Sequence, residues 1–86
     1  MIFYTAKQLY NNGQEEEAIK LFKKVLQLDS KFALAHNDLA FIYWQKKDVN
    51  KALYHLTKAM ELAPNDRDII RNCGRVMLEL HKVKDT

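Results

Sequence analysis

Histidine, cysteine and carboxylate are the side chains here that could do chemistry, and their spacing gives them none to do. The three histidines, His36, His55 and His81, are not set i, i+4, the separation that puts two imidazoles on one helical face around a metal ion. No Cys-x-x-Cys occurs. The single cysteine, Cys73, has no partner for an internal disulfide, which points to a reducing compartment and a cytoplasmic location. Lying on an apolar stripe, it reads as a small hydrophobe. Carboxylates such as Asp38 and Glu61 are not paired for acid/base work, and there is neither a glycine-rich phosphate loop nor a Gly-x-Ser-x-Gly turn. The expectation is a chain with no catalytic residue, no metal and no cofactor, and so not an enzyme.

The elements that would position these residues follow from composition. The chain has 86 residues, 48% apolar and 29% charged, with only two glycines and one proline. That suits one soluble helical domain near the lower size limit for a self-sufficient core. No uncharged run approaches the roughly 20 residues a membrane span requires. The start, Met1 to Lys7, lacks the pattern of a signal peptide. Net charge is +3, with lysines interspersed among acids. Glu15-Glu16-Glu17 precedes Lys20, Lys23 and Lys24 on one expected helix, an order that suits the helix dipole and reads as a solvated face. Nucleic acid is therefore not the expected partner. Its support is that lysine cluster and a weak basic patch of Lys7, Arg71 and Arg75.

Sliding the chain along itself by 34 residues brings like onto like. Ala6 meets Ala40, Leu9 meets Tyr43, Tyr10 meets Trp44, Ala18 meets Ala52 and Phe22 meets Leu56. A second shift takes Leu39 to Cys73, Ala40 to Gly74, Tyr43 to Met77 and Trp44 to Leu78. Small residues fall on small ones, where helices must approach closely; a larger side chain there is expected to overpack the stack by about 1–3 kcal/mol. Apolar residues recur at i, i+3, i+4, and breakers fall between the runs: Asn11-Asn12-Gly13, Lys46-Lys47-Asp48 and Pro64. Asp48 and Asn65-Asp66 are placed to cap the helices that follow. The pattern predicts helices near 2–12, 15–28, 32–46, 49–62 and 66–82.

The middle unit has His36, Leu39, Ala40, Tyr43, Ala52, Leu56 and Pro64 at the spacing W-x2-L-G-x2-Y, A-x3-F, P. With that spacing the chain resembles the tetratricopeptide repeat family over essentially its whole length. The first unit matches at Ala6, Leu9, Ala18 and Phe22, with Ser30 in place of proline, and the third at Cys73, Gly74 and Met77. The resemblance implies an all-α solenoid of antiparallel helix pairs, five helices in a right-handed superhelical array. The whole of 1–86 would be one domain: repeat one 1–30, repeat two 33–66, and a half repeat or capping helix 67–84. His36, in a packing position of the repeat, becomes a partly buried ring. A unit of 34 also differs from the RNA-binding pentatricopeptide repeats, whose unit runs one residue longer.

The resemblance further implies that the first helix of each unit lines a concave face that holds a protein or peptide. Positions free of packing duty there would be Phe3, Lys7, Tyr10 and Asn11, then Asn37, Asp38, Phe41, Trp44 and Gln45, then Arg71, Asn72, Arg75 and Leu78. Phe41 and Trp44 would bury apolar anchors, Asn37 and Asn72 would bond a peptide backbone, and Lys7, Arg71 and Arg75 would meet carboxylates. Trp44 could equally seal neighbouring helices. The carboxylate clamp of chaperone-binding members is missing: Phe3 and Lys7, Asp38, then Asp68 and Asn72 occupy its places, so chaperone tails are not expected ligands. Asp38 likewise breaks the asparagine ladder of the sugar-transferase solenoids.

The last helix sets the alternative. Ile69, Cys73, Val76, Leu80 and Val83 form one apolar row, and Ile70 and Met77 a second beside it. Only one row can face the fourth helix, whereas a terminal repeat needs a polar outer face. Either the array continues beyond this sequence or a second copy covers the surplus, making the chain a self-assembling scaffold. Ile69, Val76 and Leu80 are the residues expected at that self-association surface.

Overall fold

A computed structural model describes residues 2–84, with side-chain surroundings through 82. Five helices follow in order: α1 (Ile2–Asn11), α2 (Glu15–Leu28), α3 (Ala33–Gln45), α4 (Val49–Leu62) and α5 (Arg67–Lys84). No strand occurs among the described residues. Each expected helix is present, with ends within two residues of those read from the breakers. Val83, last of the expected apolar row, has a side chain outside the described residues.

Local chemistry ends the helices where the sequence breaks its period. Gly13 takes a left-handed φ of 85° after α1, and Lys47, 34 residues on, takes 65° after α3. The same backbone turn is thus built once with the residue that adopts it freely and once with one that does not. Asp48 caps α4, its Oδ1 accepting from the Lys51 amide at 3.3 Å. Asp66 caps α5, accepting from the amides of Asp68 at 2.9 Å and Ile69 at 3.2 Å.

Packing makes helical hairpins of α1 with α2 and α3 with α4, with α2 resting on α3 and α5 lying across α3 and α4. The result is a layered helical solenoid, 41 × 28 × 19 Å. Helix α3 is at its centre and buries seven of its thirteen residues. One core joins α1 to α4 through Ala6, Ala18, Phe22, Leu39, Ile42 and Ala52. A smaller one joins α3, α4 and α5 through Ala40, Leu56 and Val76, with Leu53, Cys73 and Leu80 beside them.

Two expectations are corrected here. Phe3 is not free of packing duty. It is only 5% exposed, its ring centroid 4.9 Å from that of Phe32 and 5.8 Å from that of Phe22. An aromatic at that position meets Phe32 at the start of α3, a contact between distant parts of the chain that helical spacing cannot reveal. Gly74 is not in a tight spot either: a methyl group added there would meet nothing within 4 Å. Its equivalents Ala6 and Ala40 are enclosed, because each belongs to a paired hairpin and α5 shows no such partner among the described residues.

Candidate functional site

Most of the candidate residues line two cavities, one at α1 and α3 and one at α3 and α5. Lys7, Tyr10 and Asn11 from α1 and Asp38, Phe41 and Ile42 from α3 enclose a cavity of about 150 Å³ floored by Phe22. A wider, shallower one of about 510 Å³ runs from Phe41 and Trp44 to Arg75 and Glu79 on α5. Phe41 is the wall the two share. Its ring is half-buried and meets Tyr10 edge to face, centroids 6.1 Å apart. Trp44 packs against both cores and also lines the wider cavity.

The polar residues divide. Asn37 is 3% exposed, and its Oδ1 accepts from Asn72 Nδ2 at 2.9 Å. It therefore ties α5 to α3 instead of meeting a peptide backbone, while Asn72 stays half-buried. Arg71 is exposed and lies 3.8 Å from Asp68 one turn earlier. Arg75 reaches the wider cavity. Lys7 is exposed, with Nζ 5.4 Å from the centroid of Phe3. Burial and then the Glu15 carboxylate push the Tyr10 phenol up from its ordinary range.

Asp38 is the site's electrostatic anomaly. Its Oδ2 is buried and accepts no hydrogen bond from the chain. Burial raises its pKa to about 6, Lys7 opposing the rise and Asp68 adding to it. Sequence reading placed Asp38 in the groove but gave no sign of this. An acid three residues before Phe41 and four before Ile42 is ordinary until tertiary packing closes over it.

The self-association row is also rearranged. Ile69 and Val76 are buried within the chain's own core and Leu80 is half-buried beside them. The row left open to water is its neighbour: Ile70 is 48% exposed, Met77 58% and Leu78 65%. Two adjacent rows on one helix are indistinguishable by period, so the sequence could not say which of them α4 would take.

Another pairing has no sequence signal at all. His36 and His55, 19 residues apart, meet between α3 and α4. No group of three or more His, Cys, Asp or Glu among the described residues is arranged to hold a metal ion.

Two family models match this chain, one described as TPR repeat over residues 6–47 and one as tetratricopeptide repeat over residues 33–66. The chain belongs to the tetratricopeptide repeat family. This tetratricopeptide-repeat chain is accordingly a protein–protein interaction module, and no helix among the described residues is long and apolar enough to cross a membrane. It is similar to the anaphase-promoting complex subunit CDC16 of Saccharomyces cerevisiae, 37% identical over 54 residues. The match takes in 63% of this chain and only 6% of that protein's length.

Proposed function

We propose that the groove along α1, α3 and α5 is the concave binding face of this module and holds an extended segment of a partner protein. Phe41 carries the reading. A large aromatic left half-open where two cavities meet has little to do for the fold and is suited to an apolar anchor, with Trp44 beside it. Lys7 and Arg75 in the cavity linings offer carboxylate contacts, with Arg71 one turn before Arg75 on α5, and Asp38 and Glu79 in the same linings offer the opposite sign, so the groove favours a segment of mixed charge. The likeness to a subunit of a multi-subunit complex agrees with an assembly role and names no partner. The chain acts by binding and not by catalysis.

Selection from a displayed random-peptide library tests this. Peptides enriched on the wild-type chain should lose about tenfold or more in affinity for Phe41→Ala, with helical content and melting temperature nearly unchanged. Binding that ignores Phe41→Ala places the site elsewhere.

The open row on α5 favours a second reading, a scaffold that stacks on copies of itself. Ile70, Met77 and Leu78, with Gly74 between them, leave a flat apolar strip that a helix could approach closely. Sedimentation across a concentration series decides it: a species larger than a monomer that Met77→Glu dissolves supports the scaffold, and a strict monomer removes it.

A further inference from the structure

We propose that the cavity between α1 and α3 is a subsite for one basic side chain of the bound segment, a lysine or arginine whose cationic head pairs with the Asp38 carboxylate while its stem lies against Tyr10 and Phe41. This rests on the groove being the binding face and adds the chemistry of what enters it.

Three observations converge. Asp38 lines the cavity, and its Oδ2 is buried without a hydrogen bond from the chain; an acceptor left in that state is costly until a turn of the carboxyl brings it to a donor. Lysine and arginine carry donors on long apolar stems, so they can satisfy the oxygen without bringing a bulky polar body into the site. The neighbouring walls are aromatic: Tyr10 and Phe41 meet edge to face at 6.1 Å, and ring faces attract cations. The volume, about 150 Å³, is of the order that admits a benzene-sized group, enough for the distal half of such a side chain and too little for a folded element.

The surrounding charge also bears on the sign. Asp68 on α5 acts on Asp38 as a second negative charge, and Lys7 on α1 as a positive one. Lys7 is exposed, however, and makes no hydrogen bond to Asp38; its Nζ lies 5.4 Å from the Phe3 centroid, at the rim. An incoming cation therefore meets a buried carboxylate backed by another, against one hydrated lysine that can swing away. A carboxylate entering the same cavity would face Asp38 directly, with like charges at short range.

The test uses peptides enriched from a displayed random library on the full chain. The expected result is one lysine or arginine fixed in position relative to an apolar residue. Glutamine at that peptide position and Asp38→Asn should each weaken binding roughly tenfold, and the two losses should not add, because each removes the same contact. Lys7→Gln should tighten such peptides, because it removes the positive charge that competes for Asp38. Peptides that need Phe41 but no basic residue overturn this subsite and leave the groove standing. Enrichment of acidic peptides that fail on Lys7→Gln overturns it too, by making Lys7 the charged contact. If no enriched peptide depends on Phe41, the groove itself falls and the subsite with it.

Discussion

The Nδ1 atoms of His36 and His55 lie 3.1 Å apart across the joint between α3 and α4. His36 Nε2 is 3.2 Å from the Ser30 carbonyl, which can only accept, so that nitrogen donates. With both rings neutral, His36 Nδ1 is then bare, and His55 Nδ1–H donates to it. One ring is thereby fixed by the other, and Tyr43 stacks on His55 with centroids 5.7 Å apart. An added proton would have no acceptor in this pair.

Acid should therefore loosen the α3–α4 hairpin. Burial first, then His36, Lys23 and Lys51, lower the His55 pKa to about 4 from an ordinary 6.5. A base whose folded pKa is lowered contributes stability that is whole above pH 6.5 and is lost as pH falls toward 4. The ring is only half-buried, so after solvent screening about 1–2 kcal/mol is expected. In a chain already carrying Asp38→Asn, adding His55→Gln should make urea midpoints vary less with pH across that window; an unchanged slope would refute the assignment.

Asp38 should work in the opposite direction. Its pKa, raised from 3.8 to about 6, means the folded state favours the protonated acid; the stability this gives is present below pH 3.8 and lost as pH rises through 6. Asp38→Asn is expected to stabilise the chain at pH 7 by about 2–3 kcal/mol and hardly at all at pH 3. Denaturation at the two pH values measures it. Because the two residues oppose each other over nearly the same range, the wild type can look indifferent to pH while each single variant does not.

Gly74 and Ala40 occupy the same repeat position and should respond in opposite ways. Gly74→Ala adds a methyl group to open space inside a helix and is expected to stabilise by about 0.5–1 kcal/mol. Ala40→Leu, at a position 3% exposed between α3 and the smaller core, should destabilise by about 1–3 kcal/mol. Equal effects in thermal melts would mean α5 is covered in solution.

Leu56 holds the smaller core together and is 4% exposed. Leu56→Ala is expected to destabilise by about 2–5 kcal/mol, a large part of what a domain of this size has. A melting temperature within a couple of degrees of the wild type would contradict the packing described.

The helices and their order were legible in the sequence because both depend on local rules: apolar spacing, Asp48 and Asp66 as caps, Gly13 at a turn. Lys47 shows the limit of composition. A lysine does not announce a left-handed backbone, and only its place 34 residues after Gly13 does so. What stayed hidden was every relation made by packing between helices. Asn37 looked free until Asn72 reached it from 35 residues away, Phe3 looked exposed until Phe32 covered it, and Ile69 and Ile70 looked alike until α4 chose one. The groove's residues were named from the family's geometry; the buried oxygen of Asp38 could come only from coordinates.

Helix α5 is joined to the rest by the smaller core and by the single amide bridge from Asn72 to Asn37. The remaining helices share a continuous interior. Cohesion thus declines along the chain, and the first segment to open on warming should be the one that carries Arg71 and Arg75. A segment lying across Phe41 and Arg75 would span that weakest seam and act as a splint, so part of its binding free energy would go into holding α5 down. The affinity of the face and the docking of its last helix would then be two readings of one equilibrium. Loosening the Asn37–Asn72 bridge would weaken a ligand that touches neither asparagine.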